Sequence, residues 1–247
     1  ADTGIADSDF ARTQALKHEI APQKMRVVYD PADPEYFCPD AFDKLQMRRK
    51  HNLPLTGKIA LMIARFAPNK RHDVMLAAGG LLRPSLDSFH LVLKGELYGP
   101  SDEYDRVRGQ VDAMGLSDRV TFFGFVPDIR ELQAAADVLV LCSDREALGR
   151  CVVEAMSMRR PVVVTNSGGT HEVVEEGKTG FVVPGGDADA LAARLREVLT
   201  NPALAEKMGR AGRDFVIHSS LSAKNSARAV MEVYDQLIRA RAHPRLI

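Results

Sequence analysis

One segment of the sequence decides the fold: VLVLCSDREALGRCVVEAMSMRRPVVVT, residues 138–165. Its two ends, 138–141 and 162–165, are short apolar runs rich in β-branched residues, and the pattern over 149–158 is helical. Runs that are apolar on both faces are typical of strands buried in a parallel sheet. The segment is therefore predicted to form one strand–helix–strand unit.

The same alternation extends outward from this segment, from Lys58 to Leu199. Further strands are predicted near 59–64, 90–94, 120–123 and 181–183. Further helices are predicted near 72–82, 102–114, 129–136, 170–175 and 188–199. Strands that alternate with helices form a parallel sheet covered on both faces. The predicted fold class is α/β, a doubly wound parallel sheet of the Rossmann type.

The two ends of the chain depart from this alternation. Residues 1–57 contain one predicted helix at 10–18 and one predicted strand at 25–29, which has no sheet of its own to join. After Asn201-Pro202 the chain is predicted to be a helical tail, with helices at 203–216 and 223–241. We therefore divide it into an N-terminal linker region (1–57), a Rossmann-like domain (58–220) and a C-terminal helix (221–247).

Composition limits the classes of function. The 247 residues are 45% hydrophobic and 27% charged, enough to fill a core, and 33 Lys and Arg balance 33 Asp and Glu. Without net charge, nothing global attracts nucleic acid or an anionic membrane. The three cysteines have no C-x-x-C spacing, and no apolar run approaches the roughly 20 residues of a spanning helix. These features favour a cytoplasmic protein; attachment to the inner face of a membrane stays open.

Arg65 and Lys70 are the first candidate site residues. They lie just after the first strand of the predicted sheet, where loops at strand carboxyl ends form the ligand crevice of doubly wound folds. An arginine fork and a lysine point charge together suit a diphosphate. The alternative is that both are ordinary cations of a solvated loop.

Glu146 and Glu154 form the second candidate pair, with Gly149 between them at a predicted helix start. The two carboxylates can reach different parts of one ligand and accept hydrogen bonds from sugar hydroxyls. Free N–H groups at the helix start favour an anion, and Gly149 allows close approach of the backbone. The alternative is one exposed loop residue and one solvated helix residue.

Gly168-Gly169-Thr170 is a glycine-rich turn between a strand and a predicted helix, with Thr170 available as the helix cap. It could cradle a phosphate or simply turn the chain. The simple turn is at least as well supported, because the full spacing of a phosphate loop is missing. Gly95-Glu96, after another strand, is a weaker candidate.

Metal chemistry finds little support in the sequence. No His or Cys spacing suits zinc. The triplets Asp7-Ser8-Asp9 and Asp187-Ala188-Asp189 could hold a metal–diphosphate, but Asp187 is better interpreted as a helix N-cap. We expect no metal and no cofactor.

The run DREALGRCVVEAM (144–156), followed by RPVVVT (160–165) and SGGTHE (167–172), resembles the retaining glycosyltransferases of family four, which have the GT-B fold. The resemblance extends over 58–199. Such ordered agreement is far more specific than two glutamates eight residues apart.

The resemblance implies how the negative charge of a nucleoside diphosphate sugar is bound. Arg65 and Lys70 would contact the diphosphate, assisted by main-chain N–H groups near Leu148, Gly149 and Arg150. In that family the lysine and arginine compensate the charge of the leaving group without a metal. The nucleotide sugar is then a substrate, and no cofactor is needed.

The resemblance also implies the remaining contacts of the donor. Glu154 would bind the ribose hydroxyls, and Glu146 would face the donor sugar and steady positive charge at the anomeric carbon. Main chain around Phe125 and Val126 would border the base. Glu146, Arg65 and Lys70 are thus the predicted catalytic residues.

Three positions depart from the family pattern. Ala64 stands where a glycine commonly precedes the arginine, Arg71-His72 replaces the usual glycine after the lysine, and Leu148 replaces a frequent phenylalanine. These changes leave the loop geometry around Arg71 open, whereas Leu148 should be tolerated if its backbone is what binds.

Length is the largest departure. GT-B enzymes have two Rossmann-like domains, and the acceptor-binding half comes first in the chain. Here residues 1–30 resemble only the last helix and linker strand of that half, and 223–241 resembles the final helix that packs back against it. The prediction is the carboxyl-terminal, donor-binding half of a glycosyltransferase, with a missing N-terminal domain as partner and an apolar face on the last helix left exposed.

Two alternatives remain open. The chain could be a nucleotide-sugar-binding module without turnover of its own, or another GT-B enzyme such as an epimerase or phosphorylase. The sequence does not indicate the base, the sugar or the acceptor.

Overall fold

The computed structural model describes residues 3–18, 20–86, 88–95 and 102–242, with side chains as far as Arg239. Its strands form two parallel sheets, one of two strands and one of six. The strands are β1 (Gly4–Ala6), β2 (Met25–Val27), β3 (Lys58–Ile63), β4 (Phe89–Lys94), β5 (Val120–Phe123), β6 (Val138–Leu141), β7 (Val162–Thr165) and β8 (Gly180–Val183). The six-stranded sheet confirms the predicted α/β fold class.

Helices lie before, between and after the strands of the large sheet. They are α1 (Asp9–Leu16), α2 (Lys44–Lys50), α3 (His72–Leu82), α4 (Asp102–Ala113), α5 (Ile129–Ala135), α6 (Arg150–Ser157), α7 (Ala188–Thr200), α8 (Pro202–His218) and α9 (Ala223–Ala242). Asp187 caps α7 as predicted, since its side chain accepts from the Ala190 N–H, and Asn201 caps α8, which starts with Pro202.

The strand order of the large sheet is β5-β4-β3-β6-β7-β8. The chain starts in the middle at β3, moves outward to β5, and returns to the other side of β3 with β6. This reversal creates a crevice at the carboxyl ends of β3 and β6, the place where open α/β sheets bind ligands. Strands β6 and β7 are buried along their whole length, which explains their continuous apolar sequences.

The N-terminal region differs from the prediction. Strand β2 does have a partner: β1 pairs with it in parallel, Ile5 opposite Arg26. Three residues are too short for a periodicity signal, so β1 could not be found in the sequence. The short helix α2 was also missed.

Two of the contacts that hold the N-terminal region to the rest of the protein are made by Glu172 and by Ala32. The Glu172 carboxylate accepts hydrogen bonds from the N–H groups of Asp9 and Phe10, both at 2.8 Å, and from the Tyr29 hydroxyl at 3.1 Å. Further along, Ala32 pairs with the backbone between α8 and α9. Glu172 thus neutralises the positive end of α1 from outside the helix.

The last helix carries an apolar stripe. Met231, Tyr234 and Ile238 are 62%, 58% and 64% exposed, and Val233 and Leu237 beside them are half-buried. Within the described ranges, no helix combines the length and the apolar character needed to cross a membrane.

Candidate active site

The predicted site residues come from the loops that follow β3, β5 and β6 and from the start of α6, and the glycine-rich turn follows β7. The structure brings Lys70 and Glu146 together across 76 residues of sequence: Lys70 Nζ lies 2.5 Å from Glu146 Oε2. Both side chains are largely buried, at 13% and 19% exposure. Because β3 and β6 are neighbours, the loops at their carboxyl ends meet, and the pair lies at the reversal point of the sheet.

Arg71 gives the loop after β3 its shape. Its backbone is left-handed, with φ 56°, a conformation that glycine adopts more easily. The guanidinium bonds the Asp73 carboxylate and donates from Nη1 to Asp144 at 3.1 Å, while the Asp144 N–H donates to the Asn69 carbonyl at 2.7 Å. These ion pairs therefore stabilise a backbone conformation that glycine adopts more easily than arginine. They also join this loop to the loop that carries Glu146.

Gly168 and Gly169 bring the loop after β7 against Glu146. The Glu146 N–H donates to the Ser167 carbonyl at 3.2 Å, and the Gly169 N–H donates to the Glu146 carbonyl at 2.9 Å. Gly168 has φ +105°, and a Cβ there would lie 2.0 Å from the Glu146 carbonyl oxygen. Glycine is required here for close approach of two backbones.

The predicted helix at 170–175 and the capping role of Thr170 are wrong. Residues Thr170–Val173 form a single 3₁₀ turn that makes no side-chain cap hydrogen bond. The Thr170 hydroxyl is buried and has no hydrogen-bond partner among the described groups. The chain leaves the turn early because Glu175 donates its N–H to the Thr179 hydroxyl in the next loop.

The start of α6 presents main-chain N–H groups to the site. Gly149, with φ +84°, is the N-cap residue and supplies no side-chain cap. In the described part of the chain, the N–H groups of Leu148 and Gly149 donate to no acceptor. Together with the helix dipole, such free N–H groups attract an anion. Leu148 itself is 2% exposed, so its side chain serves packing.

Glu154 lies one turn further along α6. Its side chain is 12% exposed and contacts Arg150 at 3.4 Å, whose own side chain is 66% exposed. Burial raises the pKa of Glu154, and Arg150 opposes this shift. A buried carboxylate with one weak partner retains capacity to accept hydrogen bonds from a ligand.

Arg65 and Phe125 lie on the other side of the crevice. Arg65 is exposed, makes no ion pair with any described residue, and lines a cavity of about 260 Å³ at the ends of β3 and β4. This cavity also includes Gly95, where a Cβ would lie 2.4 Å from the Ala64 carbonyl. The predicted companion Glu96 is outside the described residues. Phe125 is 76% exposed after β5, and Val126 is buried.

Sequence reasoning missed Asp7, which the N-terminal region places near the site. Burial raises its pKa, and the charges of Asp30 and Glu146 add to the rise. The only sequence signal was the acidic triplet Asp7-Ser8-Asp9, where Ser8 caps α1. Among the described residues, no group of three or more His, Cys, Asp or Glu side chains could hold a metal ion.

Comparisons with known proteins identify the family of the chain. Residues 43–215 match the family model described as "Glycosyl transferases group 1". A GDP-mannose-dependent alpha-(1-6)-phosphatidylinositol monomannoside mannosyltransferase of Mycobacterium tuberculosis is 33% identical over 74% of this chain and 49% of its own length. The curated relatives that the chain matches are longer, and it spans 47–59% of their lengths.

Solved structures share the fold over nearly the whole chain. A glycosyltransferase from Rickettsia africae superposes with a TM-score of 0.90 at 26% identity, covering 96% of this chain and 64% of that one. Anabaena HepE in complex with UDP-glucose superposes with a TM-score of 0.88 at 24% identity, again covering 96% of this chain and 64% of that one. By its family match, its sheet order and the position of its site, the chain belongs to the group 1 glycosyl transferases.

Proposed function

We propose that this chain binds a nucleoside diphosphate sugar and supplies the donor-binding half of a retaining hexosyltransferase. The observation that carries the proposal is the Lys70–Glu146 pair beside the uncapped start of α6. A cation and free N–H groups on one side, and a carboxylate on the other, suit a substrate that is anionic at one end and hydroxylated at the other.

The diphosphate would lie between Arg65, Lys70 and the N–H groups of Leu148, Gly149 and Arg150. Negative charge grows on the leaving phosphate as the bond to the sugar breaks, and these donors stabilise it most at that stage. The proposal therefore requires no metal. Arg65 is the natural outer contact, because its exposed guanidinium makes no ion pair within the described ranges.

The rest of the donor would follow α6 and the ends of β4 and β5. Glu154 would accept hydrogen bonds from the ribose hydroxyls, and the base would lie against main chain near Phe125 and Val126. Glu146 would face the sugar. Transfer breaks the bond from the anomeric carbon to the phosphate oxygen and forms a bond to the acceptor oxygen on the same face. The acceptor proton passes to the leaving phosphate.

The acceptor half is proposed to come from a preceding domain. The chain spans about half the length of the curated relatives it matches, and the exposed stripe of Met231, Tyr234 and Ile238 would pack against such a domain. The second candidate is a binding module without turnover when this chain stands alone. The family match favours sugar transfer over an epimerase or phosphorylase. A cytoplasmic location, at the membrane face or away from it, is part of the same proposal.

The test is calorimetric titration of the chain with UDP and with GDP in metal-free buffer. We expect one nucleotide to bind, and Lys70→Ala and Glu154→Ala each to weaken binding by about 1–3 kcal/mol, since each removes a contact to a charged or buried group. Lys224→Ala and Glu232→Ala, which remove the same side chains from the exposed face of α9, serve as matched controls. Binding of neither nucleotide, or equal affinities in all five proteins, would contradict the proposal.

A further inference from the structure

A second cavity lies at the opposite edge of the large sheet. Its volume is about 390 Å³, and it opens beside the amino ends of β3, β6 and β7. The proposed donor site is at the carboxyl ends of the same strands. Strand β3 is six residues long, so about 20 Å separates the two edges. The cavity is thus distinct from the donor site, and the inference below does not rest on the proposed function.

The cavity has a local excess of positive charge. Its described lining contains five cations, Lys44, Lys58, Arg159, Arg160 and Arg210. Only two carboxylates, Asp137 and Glu206, face them. The whole chain is balanced at 33 positive and 33 negative residues, so this imbalance is a property of the cavity.

Asp137 cannot neutralise all of these cations. Its carboxylate already accepts hydrogen bonds from Lys44 at 2.6 Å, from Arg48 at 2.7 Å and from the Ile59 N–H at 2.7 Å. Lys58 Nζ remains 3.9 Å away, beyond hydrogen-bond distance, and donates to no described acceptor. Lys58 therefore presents an ammonium group to the cavity with its donors available.

Arg210 pairs with Glu206, whereas the other two arginines of the cavity, Arg159 and Arg160, are less completely paired. Arg160 donates from Nε to the Met158 carbonyl and from Nη1 to the Ala136 carbonyl, both at 3.0 Å, and its Nη2 donates to no described group. Among the described residues, Arg159 forms its ion pair with Asp40, and both side chains are substantially exposed, at 41% and 68%. Exposed pairs of this kind contribute little and exchange easily for another anion.

Like charges are crowded around the buried cations of the cavity, Lys44 and Arg160. Burial lowers the pKa of Lys44 and of Arg160, and Asp137 opposes the shift. Arg48 adds to the lowering at both positions. An anion entering the cavity would relieve this repulsion.

We propose that this cavity binds a phosphate group, held by Lys58, Arg159 and Arg160 with support from Lys44. Lysine ammonium and planar guanidinium groups together surround a tetrahedral oxyanion with hydrogen-bond donors. The volume falls in the range of small-molecule sites, so the phosphate can carry a substituent. Two sources share this chemistry: a soluble phosphate compound and the headgroup of an anionic lipid.

The first arm of the test is titration with inorganic phosphate and pyrophosphate at constant ionic strength. It uses Lys70→Ala as the background, so that the donor site contributes less to the measured binding. We expect one phosphate site, and the added pair Lys58→Gln and Arg159→Gly to weaken it about tenfold or more. Glycine suits position 159 because the backbone there has φ 54°, so the change removes charge without strain.

The second arm is co-sedimentation with vesicles of phosphatidylcholine, with and without phosphatidylglycerol. Lys224→Ala with Arg228→Ala removes two exposed cations from α9 and is the control in both arms. Loss of phosphate binding in the cavity variant alone supports a soluble ligand, and loss of vesicle binding in that variant alone supports a lipid headgroup. The proposal is overturned if neither probe binds the Lys70→Ala protein, or if the cavity variant binds as that protein does. Either result is independent of the UDP titration.

Discussion

Gly168→Ala is expected to destabilise the protein by about 3 kcal/mol or more and to move Glu146 away from its position in the site. The new Cβ would lie 2.0, 2.7 and 2.9 Å from the carbonyl oxygen, the nitrogen and the carbonyl carbon of Glu146. All three are backbone atoms, so the loop after β6 must shift, and φ +105° is itself unfavourable for alanine. Urea unfolding measures the loss of stability, and UDP titration measures the loss at the site.

Gly177→Ala is the matched control for this substitution. Gly177 also has a positive φ, +72°, but a Cβ there meets nothing within 4 Å. It should show the backbone strain alone, about 1–2 kcal/mol, and unchanged nucleotide affinity. If Gly168→Ala is no more destabilising than Gly177→Ala, close packing against Glu146 is not the reason for the glycine.

Much of the large sheet could be predicted because its strands are buried on both faces. The runs 138–141 and 162–165 are apolar throughout, and that pattern identifies a strand without knowledge of its neighbours. The order of the strands in the sheet cannot be predicted from such local patterns. Nothing in the local sequence says that β6 returns beside β3, yet this adjacency brings Lys70 within 2.5 Å of Glu146.

The wrong predictions concern segments whose structure is determined by backbone geometry or by contacts between residues distant in sequence. At Thr170–Val173 the sequence favours a helix, but the turn continues into a loop fixed by Glu175 and Thr179. The glycine pair suggested a phosphate cradle or a simple turn, and only the structure shows that it packs against the Glu146 backbone. The roles of the site residues toward a ligand stay predictions that the titrations test.

Arg71 shows why one departure from the family pattern was hard to interpret. An arginine in place of glycine suggested an altered loop, yet the backbone there is left-handed, as glycine allows. The compensating partners, Asp73 and Asp144, are 2 and 73 residues away in sequence. A local reading of the sequence finds the first and cannot find the second.

His72 is expected to make the protein less stable in mild acid. The side chain is fully buried at the start of α3, its ring stacks on Phe66 with centroids 4.7 Å apart, and neither ring nitrogen has a hydrogen-bond partner among the described groups. Burial lowers the pKa of His72 from 6.5 to about 4, although Glu103 and Asp73 favour the charged form. Arg106 and Lys70 also disfavour it.

The direction follows from proton binding in the two states. Below pH 6.5 the unfolded chain protonates this histidine, whereas the folded protein stays neutral there until about pH 4. The free energy of unfolding therefore has its full value, as far as His72 is concerned, above pH 6.5. It decreases as the pH falls from 6.5 toward 4. Between pH 7.5 and 4.5 the free energy of unfolding should decrease by about 2–3 kcal/mol from this group.

Urea unfolding at the two pH values, for the wild type and for His72→Gln, isolates this contribution. The difference in stability between pH 7.5 and 4.5 should be smaller in the variant by about 2–3 kcal/mol, because glutamine does not titrate. Burial also lowers the pKa of His90, so part of the acid sensitivity should remain. His18→Gln, which removes an exposed imidazole, is the control. The same difference in stability between pH 7.5 and 4.5 in His72→Gln and in the wild type would contradict this prediction. It would mean that water or a nearby acceptor solvates the ring, so that the imidazole is not buried without a partner in solution.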